Sequence, residues 1–238
     1  MQKLRLVTMI VVAVVAACNL AGAGEEPKPK EEGPQPIRLD RENRILEIDG
    51  RICLAEGPLE LFACAEGGKE YESVIALEGE PWRMHLMLLL MGLKPGGGPE
   101  YQGDPKQPWG DTAVIEVRWE ADGNAVRKRA EELILDIKTE KPMPQVEWVF
   151  IGSKFEKNPE GKDVYAANRD KSIITVFHDP YTVFDNPLPT GGDDTNYVVN
   201  TKVVPPLDTK VTLIITPGKN PIPKPKEPAP DAPAEPAQ

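Results

Sequence analysis

The chain has 238 residues, 40% of them hydrophobic, which suits one domain with a sizeable core once both ends are set aside. Its formal net charge of −10 excludes a nucleic-acid binder, whose own phosphates would be repelled, and a polybasic grip on anionic headgroups. The acidity itself is read as a solvating surface.

Lys3 and Arg5 form a short positive region, and Leu6 to Ala17 then run apolar, broken by Thr8. That run has the length of a signal-peptide core and is too short to span a bilayer. Residues 1–23 are therefore read as a signal peptide, and the mature protein as exported to the cell envelope. Two processing sites are open. Val15-Ala16-Ala17-Cys18 resembles a lipobox, which would lipidate Cys18, whereas Ala21-Gly22-Ala23 suits ordinary cleavage and release. The later apolar run Leu86 to Met91 is also too short to cross a membrane. Residues 24–36 are Glu, Lys, Pro and Gly with almost no large apolar side chain, a solvated linker. Residues 217–238 hold 8 prolines, which predicts an extended Pro-rich tail. One domain, 37–216, lies between them.

That domain reads as strand-rich. Strands are expected at 45–48 and 51–54 around Asp49-Gly50, then at 59–63 and 73–77. Ala113 to Trp119 and Val126 to Arg129 flank Ala121-Asp122-Gly123-Asn124, a hairpin whose Asp-Gly pair supplies the positive φ of a tight turn. Strands at 146–151, 173–177, 197–199 and 211–215 complete the set, and 130–138 suits either helix or strand. Pro81 can open a helix over 82–93 that Gly92 or Gly96 ends. This helix is apolar nearly all round, the pattern of a buried helix, and is expected to pack across the sheet as the centre of the core. The fold class is α+β, mostly β, with one buried helix.

Several segments in order resemble the YdjY domain family. They are Gly57-Pro58-Leu59-Glu60, Gly68 to Val74, His85 before Leu88 to Gly96, Glu147 to Ser153, and Pro205 to Val211. The resemblance covers most of the central domain. It implies an exported bacterial protein from a largely uncharacterised family, some of whose members are described as ferredoxin-like. This chain departs from that description. Beyond the signal segment it keeps only Cys53 and Cys64, and a cluster held by thiolates usually needs about four.

Candidate chemistry centres on Glu72. Strand side chains alternate, which puts Tyr71, Ser73 and Ile75 on one face and Glu72, Val74 and Ala76 on the other. If both faces are covered, Glu72 is partly buried and must be paired, hydrogen-bonded or protonated, with Lys69 or His85 as partner. The functional reading is a general acid or base; the plain one is an ion pair pinning a strand end. Tyr71 and Ser73 are weak binding candidates. His85 has Pro81, Trp82, Leu88 and Leu89 as helical neighbours, so it reads first as a core histidine. His178 precedes Asp179-Pro180 in an expected turn. No zinc spacing or phosphate loop is present, and Gly96-Gly97-Gly98 lacks the required Lys-Ser/Thr. Asp193-Asp194 reads as an acidic turn rather than a calcium site. Cys53 and Cys64 are expected as two buried, unpaired thiols. No cofactor or metal is expected. The reading that results is a non-enzymatic ligand- or partner-binding domain of the envelope, touching membrane only through an anchor. The alternatives are an enzyme using Glu72 with Lys69 or His85, and an accessory subunit of an envelope redox system.

Overall fold

A computed structural model describes residues 35–225; the signal segment, Cys18, the linker before Gln35 and the tail beyond Pro225 lie outside them. The strands are β1 (Ile37–Asp40), β2 (Ile45–Ile52), β3 (Leu61–Ala65), β4 (Ser73–Leu77), β5 (Thr112–Ala121), β6 (Asn124–Arg129), β7 (Ile134–Asp136), β8 (Lys141–Pro142) and β9 (Trp148–Phe150). After them come β10 (Phe155–Lys157), β11 (Asp163–Tyr165), β12 (Ser172–Thr175), β13 (Phe184–Asp185), β14 (Tyr197–Val199) and β15 (Lys210–Pro217). The two α-helices are α1 (Pro81–Leu90) and α2 (Ala166–Asp170).

Eight of these strands close into a barrel, in the order β2-β15-β5-β9-β13-β12-β3-β4 and back to β2. Closure is possible because two long strands divide an edge between two partners. On β2, Ile45 to Ile48 pair with β1, while Gly50 to Ile52 pair with β4. On β5, Thr112 and Ala113 pair with β9, while Glu116 to Ala121 pair with β6. A closed sheet has no open edge to protect. Along β2 the alternation is clean: Leu46, Ile48, Gly50 and Ile52 are buried, and the residues between them are part-exposed. Leu213 and Ile215 of β15 sit level with Ile48 and Leu46 on one side and Val117 and Ile115 on the other, so the interior is filled by strand side chains.

The expected mostly-β α+β class holds. Asp49-Gly50 lies inside one continuous strand rather than between two, because β4 packs against Gly50 so closely that a Cβ there would sit 2.5 Å from the Ala76 carbonyl oxygen. The Asp122-Gly123 hairpin forms as expected, with φ of 51° and 73°. Segment 130–138 is a short 3-10 turn, Ala130–Leu133, followed by β7, which joins β8 and β14 in a second, three-stranded sheet.

The helix forms where expected, but its burial is corrected. Gly92, with φ 87°, ends α1. The Leu93 N–H reaches the Leu88 carbonyl and the Gly92 N–H that of Leu89, a Schellman closure. Only Pro81, Met84 and Leu88 are buried, while Trp82, Leu86, Leu89 and Leu90 are 41–46% exposed. The barrel fills its own interior, so the helix lies on its flank and covers one face. Ordered contacts also extend past Thr216. The N–H groups of Lys219 and Asn220 donate to the Glu147 carboxylate at 3.0 and 2.9 Å, and Ile222 bridges to Gly110.

Candidate functional site

Lys69, Glu72 and His85 do not form one constellation. Strand β4 begins only at Ser73, after a 3-10 turn over Glu70–Glu72, so the alternation cannot be carried upstream. Tyr71 is therefore 71% exposed, while Ser73 is fully buried with its Oγ donating to the Lys69 carbonyl at 2.7 Å. They share no face and form no common binding surface. Glu72 takes Lys69 as its partner, not His85: Lys69 Nζ lies 2.7 Å from both Glu72 Oε1 and Glu60 Oε2. Burial opposes the Lys69 charge, but hydrogen bonds and charge from Glu60 and Glu72 outweigh it and raise its pKa. Burial raises the Glu72 pKa, against the pull of Lys69 and with help from the second carboxylate. One lysine bridging two carboxylates ties the turn before β4 to the residue before β3.

His85 sits elsewhere, on α1 against the loop after β9. Its Nδ1 is 2.7 Å from the Tyr165 hydroxyl, which itself donates to the Gly152 carbonyl at 3.1 Å. The imidazole ring meets Phe150 edge-on at 5.1 Å. Burial lowers the His85 pKa, which keeps the ring neutral at neutral pH.

Above that ring lies a groove of about 550 Å³, lined by Trp82, His85, Leu86, Leu89, Phe155, Tyr165 and Asn168. Two elements build it. On α1 the exposed stripe of Trp82, Leu86 and Leu89 forms one wall. The β10–β11 hairpin supplies the other, with Phe155 70% exposed and its ring 5.4 Å from that of Tyr165. Asn168 of α2 fixes the corner, its Oδ1 accepting the Trp82 N–H at 2.9 Å, one of the donors a helix start leaves unpaired. No Asp, Glu, Lys or Arg side chain lines the groove. A larger hollow of about 730 Å³ lies over β2, β5 and β15, and of its charged side chains Asp49 pairs with Arg38 and Arg118 with Glu47.

Two buried polar clusters had no signal in the sequence. His178 is fully buried, with Nδ1 3.1 Å from Asp185 Oδ1, and burial pushes the Asp185 carboxyl up to about 6 although His178 opposes this. Glu131, with no exposure, accepts two hydrogen bonds from Arg129 and one from the Trp148 indole at 2.9 Å. The carboxylate of Asp193 is held by Lys138 at 2.6 Å and by Thr195. Among the described residues no group of three or more His, Cys, Asp or Glu side chains is placed to hold a metal ion.

Cys64 is buried and Cys53 only partly so, which corrects the expectation of two buried thiols; both are unpaired. Cys53 continues β2, Cys64 lies in β3, and β4 runs between those strands. Their thiols are nevertheless close enough to hydrogen-bond each other, and that of Cys64 also meets the Ser73 hydroxyl. Both sulfurs are free, so thiol counting on unfolded, unreduced protein should find both reactive. Loss of both signals would show a bridge.

Searches of the curated proteins and of the solved structures return no match. A family model, that of the YdjY domain, matches residues 37–216, which is the barrel with its flanking helix and hairpin. The chain belongs to the YdjY domain family.

Proposed function

We propose that this is an exported, non-enzymatic binding domain of the cell envelope, and that it takes an apolar ligand or partner in the groove beside α1. One observation carries the reading. A helix apolar on every side is normally buried, yet the outer stripe of α1 is bare and is joined by Phe155 into a concave, charge-free surface. Leaving that much apolar side chain in water is unfavourable, and such patches mark binding sites. The hydrogen-bonded His85–Tyr165 pair gives the floor a rigid polar point that can orient a ligand. Of the two pairings behind the enzymatic alternative, Glu72 with His85 is lost, since each has a different partner, while Glu72 with Lys69 is an ion pair away from the groove.

The test is titration with a fluorescent apolar probe such as an anilinonaphthalene sulfonate. Saturable binding at about one site per chain is expected. The double variant Leu86→Ser/Leu89→Ser should weaken it at least about tenfold, because each leucine buried is worth about 1.5–3 kcal/mol. Equal binding by a variant with unchanged urea unfolding would overturn the assignment.

A further inference from the structure

We infer that the groove face of α1 and the β10–β11 hairpin docks on the surface of a lipid bilayer, lying in the interface without spanning it. This rests on the groove being the binding site and names its occupant.

The exposed residues Trp82, Leu86, Leu89 and Leu90 recur at i, i+4, i+7 and i+8, which places them along one side of the helix. Phe155, at 70% exposure, extends the same apolar surface from the neighbouring hairpin. This is the make-up of an interfacial helix: an aliphatic stripe entering the acyl boundary, with a tryptophan that favours the headgroup level. Arg83 stands beside it, its guanidinium 5.6 Å from the Trp82 ring centre, where a long cationic side chain can reach toward water as its neighbours insert. No helix among the described residues is long and apolar enough to cross a membrane, so the contact is one of a surface.

The place where the chain joins the domain selects the bilayer over a soluble partner. Pro36 accepts the Asp49 N–H at 2.9 Å, and Ile37 packs on Gly79, its Cδ1 3.0 Å from where a Cβ of that glycine would stand. Gly79 lies two residues before the start of α1. The preceding segment, which carries the apolar run Leu6 to Ala17 and Cys18, is thus attached beside the first turn of the helix that bears Trp82. Fully extended, the stretch from Cys18 to Gln35 reaches at most about 60 Å. A membrane-held N-terminal end would therefore keep the domain within that distance of the bilayer, where this face can meet it. With a net charge of −10 on the chain and no charged side chain lining the groove, the contact is apolar and needs no anionic lipid.

The experiment uses the chain from Gly24 to Gln238, which keeps the whole closed barrel and lacks Cys18. It is sedimented with large vesicles of phosphatidylcholine alone and of phosphatidylcholine with phosphatidylglycerol. A parallel measurement follows quenching of tryptophan by lipids brominated near the headgroup. Expected are partition onto both vesicles, little dependence on salt, and quenching that Trp82→Phe largely removes, since Trp119 and Trp148 are buried and the half-buried Trp109 lies outside the groove. Leu86→Glu/Leu89→Glu should lower partition at least about tenfold while the urea midpoint stays within error. If that variant unfolds, Leu86→Ser/Leu89→Ser replaces it with the same expectation. Absence of sedimentation at millimolar lipid would overturn the inference. So would binding only to the anionic vesicles with release by salt, or a concentration-dependent dimer that the leucine variants dissolve without any vesicle binding. Should the fluorescent probe bind while vesicles do not, the groove stands as a binding site and the bilayer falls. If neither binds, both readings fall.

Discussion

Glu131→Ala will cost the domain about 3–5 kcal/mol, the penalty typical of removing one partner from a buried ion pair. The carboxylate has no exposure, and its two oxygens accept from Arg129 Nε and Nη2 at 3.0 and 2.9 Å. It also accepts the Trp148 indole N–H at 2.9 Å and, more weakly, the Val146 N–H at 3.3 Å. Alanine leaves the indole donor inside the barrel without an acceptor and strands a guanidinium whose side chain is only 21% exposed. An unmet buried donor costs about 1–3 kcal/mol by itself. Glu131→Gln keeps an acceptor for the indole and loses the charge, so it should fall between wild type and alanine. Urea unfolding checks this, with the slope compared for two-state behaviour. A midpoint shift of less than about 1 kcal/mol for alanine would mean that the cluster holds no strain-bearing position between β6 and β9.

The elements that were legible in the sequence are those whose signal is local. Asp122-Gly123 marks its hairpin because only a few residues accept two consecutive positive φ values. Gly92 marks the end of α1 for the same reason. The segment β4 was found residue for residue, since Ser73 to Leu77 is a short apolar run between breakers. Barrel closure was not legible. It depends on β2 dividing its edge between β1 and β4, and on β15 returning from about 160 residues away to pair with it. Nothing in a local window encodes those partners. The burial of α1 was misjudged for a related reason: apolarity on all sides says that a face prefers cover, not that this chain supplies it. At the site, His85 was legible as a residue, but the expected core histidine is instead half-buried at the floor of the groove. Its partner Tyr165 and the wall residue Phe155 were not, because they come from a hairpin some 70 to 80 positions later. Of the two partners expected for Glu72, Lys69 pairs with it and His85 does not. The error at Tyr71 came from carrying strand alternation into a turn.

His178→Ala should destabilise the domain more at about pH 7 than at about pH 4, with a difference of up to about 1.4 kcal/mol. The argument turns on Asp185, which has no exposure and whose carboxyl burial pushes up to about 6 despite the nearby imidazole. A carboxyl with a folded-state pKa above its unfolded value binds its proton more tightly when folded. Its contribution to stability is complete below the unfolded pKa, near 3.8, and is lost as the pH rises through about 6. Above that, the fold carries a buried carboxylate held by the His178 ring, whose Nδ1 is 3.1 Å away, and by the Asn186 N–H at 2.8 Å. Removing the imidazole at about pH 7 leaves the carboxylate with that backbone donor alone, or forces it to take up a proton at a free-energy cost. At about pH 4 the group is already protonated in the fold, and the loss reduces to packing and one hydrogen bond. Asp185→Asn is the matching variant. It keeps an acceptor for the ring and for Asn186, carries no charge to bury, and should flatten the stability profile between about pH 4 and pH 6. Urea midpoints measured across that range for wild type and both variants decide the matter. An equal penalty for His178→Ala at both ends would show that the imidazole serves Asp185 through shape alone and not through charge.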